Sequence, residues 1–274
     1  MAAAEPLAKT MAEPMVVVDG LHVVYRVFGS KSDKGTAATA LWRILRRQRR
    51  PSVREVHAIR GVSFVANRGD AVGVIGRNGS GKSTLLRAIA GLLPPEQGAV
   101  YTTGHASLLG VNAALLDDLT GERNVVVCGL AMGMTPREVK DKYQNIVDFS
   151  GVGDFINLPM RAYSTGMGSR LRFAIASARS HEVLLIDEAL VTGDAEFRVR
   201  SRQRIEELRA QAGTVFIVAH SMAQIEETCN RVIWLEKGQI VRAGDDVPAI
   251  IDAYLAATGG EPLIREGAKN PLTP

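Results

Sequence analysis

Short apolar runs that alternate with amphipathic stretches predict an α/β fold for this chain. Runs rich in β-branched and aliphatic residues predict strands at 15–26 (with a turn at Asp19-Gly20), 57–67, 71–75, 99–102, 105–109, 183–186, 214–219 and 231–235. Helical spacing lies between the later runs and again at 247–257. Since strands that alternate with helices usually pair in parallel, we expect a mainly parallel core sheet with an antiparallel β part at the N-terminus.

The middle of the chain has a different pattern. Between 115 and 159 the β-branched alternation fades and helical spacing dominates, at 120–133 and 135–149. The second of these stretches opens with Thr135-Pro136, which is typical of a helix start. We therefore expect a helical insert at about 112–162 within the α/β domain.

The two ends of the chain are predicted to be disordered. Residues 1–14 contain Glu and Pro without an apolar segment, and residues 259–274 are rich in Gly and Pro. The predicted domain therefore spans 15–258.

A basic amphipathic helix is predicted at about 37–50. At helical spacing Leu41, Trp42, Ile44 and Leu45 fall on one face, and the other face carries Arg43, Arg46, Arg47 and Arg50. Such a helix can lie on an anionic membrane surface or dock on a partner. A solvated charged helix or arm is an equally good interpretation.

Composition narrows the class of protein only slightly. The chain has 274 residues, of which 46% are hydrophobic and 23% charged, as in ordinary globular domains. Its net charge of +4 is compatible with an anionic ligand or membrane surface, and no nucleic-acid partner is expected. Cys128 and Cys229 follow no pairing pattern, as in a reduced cytosolic protein. We expect no membrane span, because no apolar run reaches about 18 residues, and no signal peptide, because residues 1–14 lack an apolar segment.

One stretch carries the clearest chemistry in the chain. Residues 76–83 fit the phosphate-binding pattern G-x-x-x-x-G-K-[ST] at every fixed position, with an apolar run before them and a helical pattern after them. Glycines let several backbone N–H groups converge on one anion, and the helix N-terminus adds its dipole. The stretch predicts a nucleoside triphosphate site formed by Gly76, Arg77, Asn78, Gly79, Ser80, Gly81, Lys82, Ser83 and Thr84. Lys82 is expected to reach the β- and γ-phosphates, and the Ser83 hydroxyl to ligate Mg²⁺.

Two carboxylates follow a later apolar strand. Asp187 and Glu188 come directly after 183–186. Downstream of a phosphate loop, Asp187 is expected to hold Mg²⁺ through its water shell, and Glu188 to act as general base on the attacking water. Solvated acids at a strand end are the alternative interpretation.

The stretch Tyr163-Ser164-Thr165-Gly166-Met167 lies upstream of these carboxylates, at the start of a helical pattern. With this stretch in view, the chain resembles the ATP-binding subunits of ABC transporters over about residues 15–255, because that family has its signature sequence at this place. The order of phosphate loop, helical insert, signature, carboxylate strand and a histidine after the next strand is specific to that family.

Three stretches resemble one subfamily in particular, the exporters of O-antigen and teichoic-acid-like polysaccharides. They are Ser164-Thr165-Gly166-Met167 with Arg170-Leu171-Arg172-Phe173-Ala174, Leu119-Thr120-Gly121-Glu122-Arg123-Asn124, and Asp187-Glu188-Ala189-Leu190-Val191-Thr192-Gly193-Asp194. A resemblance to the cell-wall galactan exporters of actinobacteria would fit the Arg-rich composition.

The resemblance implies roles for five further residues. Tyr25 corresponds to the aromatic residue that stacks on adenine, although a strand-core tyrosine is the alternative. Ser164 and Gly166 would contact the γ-phosphate of ATP held by a second copy. Asp194 would lie at the dimer interface, and His220 would sense the γ-phosphate and the attacking water.

The chain departs from the family at one position. Most members have a glutamine between the phosphate loop and the signature that ligates Mg²⁺ and couples to the membrane partner. Residues 109–114 contain no glutamine, and Asn112 is the available amide. The polysaccharide exporters often lack this glutamine too.

The resemblance implies the subunit composition of a complete transporter. Two copies of the chain would enclose two ATP molecules and pair with two copies of a transmembrane permease, at the cytoplasmic face of the inner membrane. Hydrolysis would then drive export of a lipid-linked polysaccharide. We expect no C-terminal carbohydrate-binding domain of the kind that some members carry.

Three alternatives remain open from the sequence. They are an ABC ATPase for another exported substrate such as a drug or lipid, a non-transport ABC ATPase of the DNA-repair or translation type, and a scaffold that binds ATP with little turnover. Substitution of Glu188 by Gln separates an enzyme, which loses hydrolysis, from a scaffold, which has little to lose.

Overall fold

The structure is a computed structural model that describes residues 13–28, 53–109, 115–179, 181–187, 195–219 and 221–263. The predicted basic helix at 37–50 lies outside the described residues, as do 1–12 of the predicted leader and 264–274 of the predicted tail. Residues 259–263 follow the last helix, and Leu263 packs against the core.

The described residues form two sheets. Antiparallel strands β1 (Pro14–Phe28), β2 (Val53–Asn67) and β4 (Gln97–Thr102) make the first, in the order β2-β1-β4. The second contains β3 (Ala71–Ile75), β5 (Ala106–Leu108), β6 (Val183–Asp187), β7 (Thr214–Val218), β8 (Arg231–Glu236) and β9 (Gln239–Gly244). Its order is β5-β6-β7-β3-β8-β9, with parallel pairing throughout except at β9.

Helices cover the sheet and build the insert. They are α1 (Lys82–Ile89), α2 (Gly121–Ala131), α3 (Pro136–Ser150), α4 (Thr165–Ala176), α5 (Ala195–Gln211), α6 (Met222–Thr228) and α7 (Val247–Thr258), with 3-10 turns at Gly153–Asn157 and Met160–Ala162. Thr120 and Thr135 accept hydrogen bonds from the first turns of α2 and α3, so each helix begins where a capping residue stands. None of the described helices combines the length and apolarity that crossing a bilayer requires.

The core sheet is buried on both faces. In β6, Val183 and Leu185 pack toward the antiparallel sheet and α1, whereas Leu184 and Ile186 pack toward the helices on the other side. Alternation places successive side chains on opposite faces, so an apolar strand without polar positions needs cover on both. The predicted α/β fold, with its mainly parallel core sheet, antiparallel N-terminal part and helical insert, is confirmed.

One local prediction was wrong. The expected turn at Asp19-Gly20 is a bulge inside the single long strand β1, where the register with β2 shifts between Val18 and Leu21. Gly20 has φ 54° and donates its N–H to Ser63 Oγ at 2.8 Å. Asp-Gly favours a tight turn locally, but both flanks pair with the same partner strand, so the extra residues are absorbed as a bulge.

The strand β9 was not predicted from the sequence. It pairs with β8 through a two-residue turn in which Lys237 and Gly238 have φ 49° and 81°. Most of β9 is exposed, including Val241, and its polar and apolar residues do not alternate strictly. The pattern that indicates a half-buried strand is therefore missing from this stretch. The Lys-Gly pair was the available signal of the hairpin.

Candidate functional site

The phosphate loop joins the end of β3 to the start of α1. Gly76, Gly79 and Gly81 have φ 146°, 80° and 110°, backbone conformations that residues with a Cβ rarely adopt. A Cβ on Gly81 would lie 2.7 Å from the carbonyl oxygen of Ala58, and one on Gly76 would collide with the carbonyl of Leu235. The first N–H groups of α1 have no partner inside the helix and lie at the end of this loop. The loop therefore has the backbone shape that an anion cradle requires.

Lys82 lies folded over the loop. Its Nζ donates to the carbonyl oxygens of Gly76 at 2.6 Å and Arg77 at 3.1 Å. Burial lowers the pKa of Lys82, and the nearby carboxylate of Asp187 opposes that shift. A partly buried ammonium with few counter-charges is well suited to a phosphate ligand, because the added negative charge stabilises the protonated form.

Ser83 and Asp187 meet beside Lys82. The Ser83 hydroxyl donates to Oδ2 of Asp187 at 2.9 Å, although the two residues are 104 positions apart. Asp187 ends the buried strand β6, two strands from β3, so the sheet order brings both oxygens to the carboxyl edge of the sheet. A hydroxyl and a carboxylate are the hard oxygen ligands that Mg²⁺ prefers. The residues present fit the predicted metal position.

A support for the loop was missed by sequence reasoning. The β8–β9 turn packs directly on the loop, where Gly238 donates its N–H to the carbonyl of Ser80 at 2.9 Å and accepts from the N–H of Arg60 at 2.8 Å. A Cβ on Gly238 would lie 2.5 Å from the Ala58 carbonyl oxygen. The turn is thus wedged between β2 and the phosphate loop and holds the loop in its curved shape.

Tyr25 approaches the other end of the site. It is half-buried on β1, and its hydroxyl lies 3.4 Å from Oγ1 of Thr84 in the first turn of α1. The structure therefore brings Tyr25 to the phosphate loop, at the side from which α1 begins. Arg77 and Asn78 are exposed at the top of the loop.

The signature residues lie on the helical insert and face solvent. Ser164 is the N-cap of α4 and accepts from the N–H of Met167 at 3.2 Å. Ser164, Thr165 and Gly166 are exposed, and a Cβ on Gly166 would meet only Ser164 Oγ within 4 Å. A surface cavity of about 200 Å³ at this helix end is lined by Ser164, Thr165 and Arg172 but by no residue of the phosphate loop. In the described part of the chain, the signature residues and the phosphate loop therefore line separate places.

Four predicted site residues cannot be placed. Glu188, Asp194, His220 and Asn112 lie outside the described residues, and their roles stay predictions. In the sequence, Asn112 follows β5, Glu188 and Asp194 follow β6, and His220 follows β7.

Comparison with known proteins agrees with this geometry. Residues 59–191 match the model of the ABC transporter family. The chain is 38% identical over 205 residues to the O-antigen export system ATP-binding protein RfbB of Klebsiella pneumoniae. The matched region covers 74% of this chain and 83% of that protein. It is 33% identical over 245 residues to the ABC transporter protein AbcA of Aeromonas salmonicida, covering 89% of this chain and 77% of that protein.

Other relatives are much longer than the region they share. The teichoic acids export ATP-binding protein TagH of Bacillus anthracis is 39% identical over 198 residues, which is 72% of this chain but 36% of that protein. The chain therefore spans little more than a third of the length of some of the curated relatives it matches.

Solved structures resemble the fold. A dimeric, post-hydrolysis structure of an ATP-binding cassette bound to ADP and Pi has a TM-score of 0.61 at 20% identity and covers 84% of this chain and 98% of its own. The same family is indicated by the fold, the phosphate loop with its Ser83–Asp187 pair, the signature position and the relatives. This chain belongs to the ABC transporter family, in the subfamily whose curated members are the ATP-binding proteins of teichoic-acid and O-antigen export.

Proposed function

We propose that this chain is the ATP-hydrolysing subunit of an ABC exporter that moves a lipid-linked polysaccharide of O-antigen, teichoic-acid or galactan type across the cytoplasmic membrane. The observation that carries the proposal is the 38% identity to an O-antigen export ATP-binding protein over 83% of that protein's length. The chain would act at the cytoplasmic face of the membrane, held there by a separate permease.

The described site residues, together with the predicted Glu188 and His220, suggest how the chain would handle its nucleotide. When bound, Mg-ATP supplies the phosphate bond that is cleaved. The loop N–H groups and Lys82 would bind and neutralise the phosphates, and Ser83 with Asp187 would hold the ion. Glu188 would take a proton from the attacking water, and His220 would orient that water. Tyr25 would stack on the adenine.

Two copies are needed for a complete site in this proposal. Ser164 and Gly166 are exposed, and the cavity beside Ser164 is lined by no phosphate-loop residue among the described ones. They would therefore complete the site of a second copy, with Asp194 at the interface. A two-fold arrangement then produces two equivalent sites, and two permease copies would complete the complex.

Hydrolysis by the purified chain tests the enzymatic part. We expect Mg²⁺-dependent phosphate release from the chain, and its loss in Glu188→Gln, which leaves nucleotide binding intact. A chain that binds ATP but releases phosphate no faster than Glu188→Gln would contradict the proposal and favour a scaffold.

Export in cells tests the substrate. Deletion of the chain should leave lipid-linked polysaccharide inside the cell, and the intact chain should restore its export while Glu188→Gln should not. Normal surface polysaccharide in the deletion strain, with a lost drug or lipid export instead, would identify a different exporter.

The basic helix predicted at 37–50 is proposed to meet anionic lipid or lipid-linked head groups near the permease. Arg43, Arg46, Arg47 and Arg50 would form the contact, since each basic residue near an anionic surface adds about 1 kcal/mol of attraction. Their reversal to Glu should reduce export in cells while phosphate release by the purified chain stays the same. Unchanged export would contradict this proposal alone.

A further inference from the structure

The helix α5 begins directly after Asp194 and carries arginines whose surroundings differ sharply. Arg198 and Arg202 are exposed, whereas the guanidinium of Arg200 lies 5.8 Å from the ring centroids of both Phe149 and Phe197. Nε of Arg200 is buried and makes no hydrogen bond among the described residues. It lies 4.0 Å from Oε1 of Glu196, one turn earlier on the same helix, and the guanidinium also faces the two rings. Arg200 is thus built into a packed joint, unlike its neighbours on the same helix.

Three phenylalanines make up that joint, one from each of three helices. Phe149 of α3 and Phe173 of α4 stack with centroids 6.0 Å apart, and Phe197 of α5 meets Phe149 at 5.6 Å and Phe173 at 5.8 Å, both edge-on. Phe173 and Phe197 are almost fully buried. Rings at these distances and angles attract one another beyond their burial. The joint therefore ties the signature helix α4 to α5 and to α3 of the insert.

Arginines of α5 also reach the C-terminal ends of its neighbours. Nη2 of Arg200 lies beside Gly151, the C-cap of α3. The distance is 3.6 Å from Nη2 to the position that a Cβ on Gly151 would occupy. Nε of Arg204, one turn further on, donates at 3.1 Å to the carbonyl of Ser177, the C-cap of α4. Helix C-termini carry partial negative charge and free carbonyls, so a cation there stabilises both partners.

We propose that Arg200 and Arg204 are positioning residues that lock α5 to α3 and α4, so that the signature at the start of α4 and the first turn of α5 are presented to a second copy at a fixed angle. The inference rests on the proposed function, in which Ser164, Gly166 and Asp194 all meet the partner chain. Ser164 opens α4, and Asp194 is the residue before α5 in the sequence, so a fixed angle between these two helices would favour both contacts together. A flexible joint would let one contact form without the other.

The test uses the full chain with Glu188→Gln, which is expected to bind ATP without hydrolysing it. Dimerisation on adding Mg-ATP is measured by sedimentation velocity, and nucleotide affinity of the monomer by a fluorescent ATP analogue. Arg200→Met and Arg204→Met are compared with Arg202→Met, an exposed arginine on the same helix. Arg200→Lys keeps the charge and removes the planar group that stacks on the rings.

We expect Arg200→Met and Arg204→Met each to weaken ATP-dependent dimerisation about tenfold, the effect of losing one coupled contact, while nucleotide affinity of the monomer stays within about twofold. Arg202→Met should dimerise like the parent. The dimerisation strength of Arg200→Lys should lie between that of the parent and that of Arg200→Met. Ile251→Ala on α7, a buried site on another helix, should lower the melting temperature and leave dimerisation unchanged.

Three results would overturn the inference. Dimerisation of Arg200→Met and Arg204→Met at the parent's strength would show that the joint does not matter. Weakening in equal measure by Ile251→Ala would show a general effect of stability. A Glu188→Gln parent that stays monomeric with ATP would instead contradict the two-copy site of the proposed function, and the inference with it.

Discussion

At the scale of single residues, the predicted metal position depends on two oxygens that lie 104 positions apart in the sequence. The Ser83 hydroxyl and Asp187 Oδ2 are 2.9 Å apart because β3 and β6 end at the same edge of one sheet. The residue types at both positions were readable from the sequence. Their convergence follows from the strand order, which no local pattern contains.

Ser83→Ala is expected to lower Mg²⁺-dependent phosphate release about a hundredfold, the usual scale for disturbing a metal ligand. The melting temperature should change little, because the hydroxyl is at the surface. Phosphate release is measured over a series of Mg²⁺ concentrations.

Ser201→Ala is the matched control, at a serine on α5 outside the phosphate loop. Oγ of Ser201 is buried and has no hydrogen-bond partner among the described residues, so its removal leaves no new unsatisfied group. We expect the control to keep most of the activity. Equal losses in the two variants would contradict a metal-binding role for Ser83.

At the scale of elements, the β8–β9 turn shapes the phosphate loop. Gly238→Ala should destabilise the protein by about 3 kcal/mol, since it adds both an unfavourable φ and a Cβ close to the Ala58 carbonyl. It should also weaken ATP binding, because Gly238 donates to Ser80 within the loop. Denaturant unfolding and nucleotide titration measure the two effects.

Gly259→Ala separates backbone strain from collision. Gly259 has φ 72°, close to the value at Gly238, but a Cβ there would meet nothing within 4 Å. The control should therefore lose only about 1 kcal/mol and keep its ATP affinity. Weaker ATP binding in the control would mean that the turn has no special relation to the loop.

The helix α3 provides a prediction on pH. Hydrogen bonds from the N–H and the hydroxyl of Thr135 lower the pKa of Glu138, which reaches back to the helix cap. A lowered pKa contributes stability above the unfolded value of 4.5, and that contribution is lost as the pH falls through the folded value. Thr135→Ala should therefore lower the melting temperature at pH 7, and the difference from the parent should shrink toward pH 3.

Thr120→Ala is the control for this pH dependence. Thr120 caps α2 by accepting from the N–H of Arg123, and no acid stands in the position that Glu138 has in α3. Its effect on the melting temperature should stay nearly constant over the same pH range. A constant difference for Thr135→Ala as well would show that the Glu138 charge does not contribute.

At the scale of the whole molecule, each ATP site is proposed to be shared between two chains. Lys82→Ala and Gly166→Glu should each be inactive alone. The first removes the lysine of the phosphate loop, and the second adds a negative charge to the signature. In a mixture, a mixed dimer has one site with both parts intact. Activity should therefore recover to about a quarter of the parent's, since half of the dimers are mixed and each has one of two sites.

The mixing experiment has a built-in contrast. Neither variant should recover when it is mixed with more of itself. No recovery in the mixture, under conditions where the parent chain dimerises, would place the signature and the loop in one chain's own site. Phosphate release measured against mixing ratio distinguishes the two arrangements.

Local sequence patterns predicted the phosphate loop, the strand before Asp187 and the order of the elements. These features are readable from neighbouring residues alone. Glycines at 76, 79 and 81 allow unusual backbone angles, the lysine and hydroxyl that follow supply polar groups, and a hydrophobic run marks the strand before Asp187. The tertiary structure alone decided that Asp19-Gly20 is a bulge, that the Lys237-Gly238 turn is wedged under the phosphate loop, and that arginines of α5 join three helices. Pairing partners and packing distances arise between segments far apart in the chain, so no window of sequence contains them.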